Sequence, residues 1–501
     1  MVIPKLIRDA KKSKTIQKIG TGAGICILFV INLIVNAPLR LKAISTLDDL
    51  ILWNFFNVIR NNPLGYIFST YAKKYRPVSN AFFLGLFSLF QYRPWMFGVF
   101  SVLLSFLIAV ILFFILRRVS GSSVVAFLLS VVFLVCRFTY YDIAQVYGIM
   151  EATSLLFAIV FLYLVWRFIN TKKEIYFWAS VGVFFLLIFD HERFVPVVLL
   201  YLVIFLTFGL NRKSVLLFAA SLFPVIINFA IKGVLFKKLI LEGTGGTSIF
   251  NTFTVKGFLD YFLSAWLYIA GFNAGPTELN GITARDVPLF VNILIGISIL
   301  CLLALCMLFL VTVFKDKKER IGKYMQNFTL FFLFIFLNLV VASVTVRVEV
   351  RWLTVPYVGL LFLLSYMYSV IPKKRNAQTV FILLLLLWAG VSIPRELFYR
   401  KYFKNIYFSG IQTFGNALYE ATVKKYGDTF WDYDTYILCA ENSSPRMMGC
   451  GDYGDLYLYF TQFNQKNVKT RIHFVIQPPK TTNGDKHIIL LYDQRGRFRE
   501  L

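Results

Sequence analysis

Two adjacent carboxylates, Asp48-Asp49, lie shortly beyond the first apolar run of the chain. A pair of that kind can deprotonate an incoming hydroxyl or bind a divalent cation. Ser45-Thr46-Leu47-Asp48-Asp49 is also a good helix start, so capping and catalysis stand side by side here. Tyr75-Arg76-Pro77-Val78 offers a planar guanidinium fork that suits phosphate, or that anchors an interfacial helix to headgroups. Asp190-His191-Glu192-Arg193 sets four polar residues against an apolar background, which fits a lipid phosphate or a sugar better than a bare hairpin turn. Arg347-Val348-Glu349-Val350-Arg351-Trp352 places two arginines around Glu349, either as an anion grip or as an interfacial ion pair with a Trp anchor. Tyr140-Tyr141-Asp142, Gln145, Tyr147 and Glu151 combine aromatics, an amide and carboxylates, as carbohydrate sites do and as belt residues at a membrane surface also do.

The elements that must carry these residues are membrane helices. The chain has 501 residues, 58% of them hydrophobic, against about 45–50% in an average soluble domain. The excess falls in runs of about twenty residues, the length of a helix that crosses a hydrocarbon core. Apolar windows predict about eleven spans, near 19–37, 93–116, 122–140, 152–168, 176–190, 195–210, 215–235, 289–314, 328–346, 353–371 and 379–394. The first resembles a signal peptide ending at Val35-Asn36-Ala37; the many spans that follow favour an uncleaved anchor.

A net charge of +26 in a soluble protein would suggest nucleic acid. Here the basic residues sit between apolar runs: an N-terminal Lys cluster, Arg117-Arg118, Lys172-Lys173, Arg212-Lys213, Lys315 to Lys323 and Lys373-Lys374-Arg375. This is the positive-inside pattern, so membrane lipids and not nucleic acid are the expected surroundings, with the N-terminus cytoplasmic. Asp48, Asp49, Asp142, Glu151, Asp190, Glu192, Glu242, Asp260, Glu278, Asp286 and Glu349 then fall on or near the other face, so all five polar groups share one side. Long loops on that side are expected at 38–92 and 236–288. The first holds an apolar stretch, Asn80 to Phe90, too short to span, and the second an amphipathic aromatic stretch, Phe258 to Phe272.

The expected fold is therefore an all-α polytopic domain over 1–394, followed at 395–501 by a small extracytoplasmic α/β domain. There Gly410 to Lys425 predicts a helix, and Thr435 to Ala440, Arg471 to Ile476 and His487 to Tyr492 predict strands. Cys439 and Cys450 share that compartment, as a disulfide or as free thiols. No cysteine spacing suggests a metal site, and none is assigned; a divalent cation at the acidic pair is the one cofactor the residues admit.

The order Asp48-Asp49, Tyr75-Arg76-Pro77-Val78, Arg117-Arg118-Val119-Ser120-Gly121-Ser122, the Asp142 to Glu151 loop and His191-Glu192-Arg193 resembles the multi-span glycosyltransferases of the GT-C superfamily. Bacterial relatives of the tetratricopeptide-linked transmembrane O-mannosyltransferases come nearest. Arg351-Trp352-Leu353-Thr354-Val355-Pro356 is similar to a late motif of such enzymes. The likeness covers about 40–210 and, more thinly, 345–360. It implies transfer of a sugar from a polyprenyl-phosphate carrier to a glycan, lipid or protein acceptor at the outer face of the cell membrane, in making cell-envelope polysaccharide or another glycoconjugate. It implies Asp49, or Asp48, as the base, Asp142 as a second acid near the sugar, and Arg76, His191, Arg193 and Arg351 around the lipid phosphate. Glu151, Glu192 and Glu349 complete the candidate substrate-binding set. Single displacement would invert the anomeric centre. The chain departs from that family in lacking tetratricopeptide repeats, and in having His191-Glu192 where Lys-Glu is usual.

Other readings are a ligase or polymerase of lipid-linked glycans, which shares the outer arginines, and a glycan flippase or transporter. The latter predicts inverted repeats and mid-membrane breaks, and no repeat is visible.

Overall fold

The computed structural model describes residues 21–36, 59, 61–70, 74–90, 94–237, 253–272, 287–316, 318–344, 348, 350–372, 375–406, 418, 420–438, 472–475, 477, 486–492 and 498–501. Asp48, Asp49, Glu349, Cys439 and Cys450 lie outside these residues.

The chain is a bundle of apolar helices. In order they are α1 (Thr21–Asn36), α2 (Pro63–Ile67), α3 (Pro77–Phe90), α4 (Pro94–Ser120), α5 (Ser123–Val135), α6 (Arg137–Ile143), α7 (Gly148–Thr171) and α8 (Glu174–Asp190). A 3-10 segment, Glu192–Leu202, leads into α9 (Val203–Phe208). Then come α10 (Arg212–Ser221), α11 (Phe223–Phe236), α12 (Val255–Ala270), α13 (Leu289–Phe314), α14 (Lys318–Ser343), a 3-10 turn at Val350–Leu353, α15 (Thr354–Val370) and α16 (Arg375–Ile406).

Seven helices among the described residues are long and apolar enough to cross a membrane, and eight if α5 and α6, bent by 54° at Cys136, count as one. The chain is thus a polytopic, all-α membrane protein over this stretch. The difference from eleven windows is one of length. α1 is a shorter apolar helix, α8 has 17 residues, and the 195–210 window is divided between 3-10 and α winding. α3 coincides with the short apolar stretch expected before the second span, and Asn80 ties it to α2 by donating to the carbonyls of Tyr66 and Ile67. α12 covers the amphipathic stretch of the 236–288 loop and is capped by Thr254, whose hydroxyl accepts from the Gly257 N–H at 3.1 Å.

The last membrane helix does not stop at residue 394. α16 runs through Pro394 to Ile406, so Arg395, Glu396, Tyr399 and Arg400 are buried inside the bundle. Beyond it lie a short helix, α17 (Val423–Tyr426), and four strands: β1 (Asp434–Leu438), β2 (Ile472–Val475), β3 (His487–Tyr492) and β4 (Phe498–Glu500). They form a sheet in the order β2-β1-β3-β4, with β1 parallel to both β2 and β3 and β4 antiparallel to β3.

Candidate functional site

The α5–α6 junction, the start of α7, the end of α8 and the start of α15 gather at one end of the bundle, where Asp142 meets Thr354 and Glu151 meets Arg193. Arg117-Arg118, Lys172-Lys173 and Arg212-Lys213 lie at the other end.

Each element presents its polar residue for a local reason. Arg76 immediately precedes α3, where Pro77 at the first helical position has no N–H left to satisfy. Glu151 occupies the first turn of α7, where the helix dipole favours a carboxylate. His191 is extended, at φ −150° and ψ 114°, and ends α8. Pro196 follows, inside Glu192–Leu202, which winds as 3-10, and it has no N–H to bond the preceding turn. Arg351 and Trp352 sit on the single 3-10 turn ahead of α15.

These segments, distant in sequence, meet around two carboxylates. Glu192 receives Arg76 at two points, Nε to Oε2 at 2.9 Å and Nη2 to Oε1 at 3.1 Å. The Arg76 Nη1 also contacts the sulfur of Met150, next to Glu151, at 3.4 Å. Glu151 is almost wholly buried and lies 2.6 Å from Arg193 Nη2, 3.8 Å from His191 Nε2 and 4.0 Å from Arg351 Nε. The Arg193 guanidinium lies between two aromatic faces, 4.7 Å from the Phe194 centroid and 5.3 Å from that of Trp352. Trp352 also takes His191 edge-on at 6.0 Å.

Asp142 joins from α6. Its Oδ2 accepts from the Thr354 hydroxyl at 2.9 Å, while its buried Oδ1 has no hydrogen-bond partner among the described residues. It lines a small cavity with Ser101, Ser105, Thr139, Gly148 and Thr354. Gly148 must be glycine: a Cβ there would stand 1.9 Å from the Asp142 carbonyl oxygen.

Burial pushes the His191 imidazole well below its ordinary range, and the charges of Arg76 and Arg193 push it the same way. At neutral pH it is therefore an uncharged hydrogen-bonding group, not a cation.

The structure thus brings together Arg76, Asp142, Glu151, His191, Glu192, Arg193 and Arg351. Asp48, Asp49 and Glu349 fall outside the described residues. Of the neighbouring polar residues, Asp190 is structural, since it accepts from Ser154 and Thr153 and ties α8 to α7. Tyr147 stacks on Phe83, and Tyr140 lies against Arg400. Among the described residues no group of three or more His, Cys, Asp or Glu could hold a metal ion.

Sequence reasoning missed Thr354 as the partner of Asp142. It also missed a second buried charged cluster, Arg137, Arg395, Glu396 and Arg400. Its one signal was the spacing of 395, 396, 399 and 400, which puts those polar side chains near one another on a helix surface.

No protein-family model matches the chain, and no curated protein sequence matches it.

Proposed function

We propose that the chain is a membrane glycosyltransferase that moves a sugar from a polyprenyl-phosphate carrier to an acceptor hydroxyl, on the face opposite its basic loops. The observation that supports this most is the convergence of three guanidiniums from separate segments, Arg76, Arg193 and Arg351, on the carboxylates of Glu192 and Glu151. Charges near the end of a membrane bundle are costly and tend to serve function.

A sugar phosphate already carries a good leaving group. The enzyme must bind the phosphate charge and remove the acceptor proton. Arg193 and Arg351 lean on the same carboxylate, so a phosphate entering beside Glu151 finds two cations already oriented. Asp142 lines a small, mostly apolar cavity with Ile108, Phe133, Ile143, Ile149 and Leu155, and its buried Oδ1 has no hydrogen-bond partner among the described residues. Neutral His191 supplies a directional hydrogen bond in place of the charge of a lysine. The base in this reading is Asp49 or Asp48, and any divalent cation would belong with that pair.

The full eleven-span, GT-C-like topology belongs to the same proposal. Eleven 3-10 residues at about 2.0 Å and the six α residues of α9 at about 1.5 Å reach roughly 31 Å, close to the thickness of a hydrocarbon core. With α1 and α8 also crossing, the C-terminal sheet becomes part of an extracytoplasmic α/β domain.

The test is transfer by the purified chain in liposomes supplied with a panel of polyprenyl-phosphate sugars and acceptors. Arg193→Gln, Arg351→Gln and Asp49→Asn should each lower the rate at least tenfold. Full activity in all three variants would remove the proposed site, and transfer of only preassembled glycans would favour the ligase or polymerase reading.

A further inference from the structure

The second charged cluster lies at the same end of the bundle as the candidate site but makes none of that site's contacts. Arg137, Arg395, Glu396 and Arg400 are 0%, 1%, 2% and 5% exposed. Three guanidiniums with one carboxylate at membrane depth are costly, and such a group is weak evidence for stability in itself. What it holds is therefore the question.

It holds helix ends. A helix that breaks inside a bundle leaves N–H and carbonyl groups without partners, and lipid offers none. At the α5–α6 break the Arg137 N–H donates to Glu396 Oε2 at 3.0 Å. Arg400 Nη1 donates to the carbonyl of Val135, the last residue of α5, at 3.2 Å. Arg400 Nη2 reaches the Asn36 side chain at 2.7 Å and the Val35 carbonyl at 3.1 Å, at the end of α1. The Arg137 Nη2 donates to the Tyr268 carbonyl near the end of α12 at 2.6 Å. Arg395 bonds Glu396 at 3.1 Å and Ser298 of α13 at 2.9 Å. Aromatic faces spread the excess charge: Arg137 stands 4.5 Å from the Tyr399 centroid and Arg400 4.4 Å from that of Tyr140.

α6 has seven residues, and Asp142 is the sixth of them. A helix this short moves as a rod about its fixed end. Its start is held by Glu396, its far end by the Thr354–Asp142 hydrogen bond and the close approach at Gly148. We infer that Glu396, with Arg137 and Arg400, is a positioning group for Asp142: it fixes the α5–α6 break and so the place of that carboxylate beside Glu151 and Arg351. The inference rests on the proposed transferase reading for its kinetic consequence, though not for its structural one.

Two variants and two readouts test it. Glu396→Gln keeps an oxygen for the Arg137 N–H but loses the charge; Arg400→Lys keeps the charge but loses the fork that joins α1 to α5. Sugar transfer is measured in liposomes on monodisperse protein, well below its melting temperature. In parallel, labelling of the native, buried Cys136 by N-ethylmaleimide is followed by peptide mass spectrometry. Both variants should lower kcat at least tenfold, leave KM for the lipid-linked sugar within twofold, and raise Cys136 labelling severalfold. Unchanged labelling in both variants would overturn the clamp, and raised labelling with unchanged kcat would overturn its hold on Asp142. If the wild type transfers no sugar, the transferase reading fails, while the labelling still decides the clamp.

Discussion

Arg76 and Glu192 are 116 residues apart and meet in a two-point ion pair, Nε on Oε2 at 2.9 Å and Nη2 on Oε1 at 3.1 Å. The pair joins the short helix α3 to the segment that leaves α8, and it does so with the Arg76 side chain 9% exposed and that of Glu192 18% exposed. Removing one partner strands the other. Arg76→Ala should therefore cost near the lower end of roughly 3–5 kcal/mol, because Glu192 keeps some solvent. The double replacement Arg76→Met with Glu192→Met should cost clearly less. Thermal melts of the two proteins in one detergent decide this, and equal losses would show that the pair is not the source.

His191 gives a pH dependence of definite sign. Its folded-state affinity for protons lies well below the ordinary value of 6.5 because of burial, with Arg76 and Arg193 adding to the effect. Folded protein thus stays neutral where unfolded chain takes a proton. The stabilisation is complete above about 6.5 and is lost as pH falls below it. Melting temperature should drop between pH 7.5 and 5.5 in the wild type, and His191→Gln should show a smaller drop. An equal or larger drop in the variant would place the titrating group elsewhere.

Gly148→Ala is a small change with a large expected effect. The new Cβ would lie 1.9 Å from the Asp142 carbonyl oxygen, which is backbone and cannot swing away. The turn between α6 and α7 must shift, carrying Asp142 and Glu151 apart. Transfer should fall more than tenfold, and Gly85→Ala, where a Cβ meets nothing within 4 Å, is the matching control.

Thr354→Val tests the same carboxylate from its other side. Valine keeps the shape but removes the hydroxyl that donates to Asp142 at 2.9 Å. Leaving a buried acceptor without its donor costs about 1–3 kcal/mol. Thr354→Ser should recover most of the loss in a melting experiment; no recovery would mean that the threonine acts through packing.

The sequence displayed the ingredients of the candidate site more readily than its pairings. Arg76, Glu151, Glu192, Arg193 and Arg351 stand out because charge interrupts apolar runs, a local signal. That Glu192 belongs to Arg76 and Glu151 to Arg193 is a matter of how helices pack, and no spacing encodes it. The Thr354 hydroxyl was invisible because a threonine at a helix start is ordinary. Arg395, Glu396 and Arg400 were passed over for the opposite reason: their charge lowers the hydropathy window, so the span seemed to end at Pro394 while the helix runs to Ile406. Three strand positions near the C-terminus were legible from apolar runs. The fourth, Phe498-Arg499-Glu500, is a short charged edge that carries no such pattern.

The 3-10 winding of Glu192–Leu202 has a consequence for depth. At about 2.0 Å per residue those eleven residues stand roughly 5 Å taller than an α-helix of the same count. The segment is a spacer whose height is set by its pitch. Pro196 lies inside it, four residues after Glu192, and has no N–H to bond the preceding turn. Wound as an α-helix instead, the same residues would leave the path from His191 to α9 shorter by that amount.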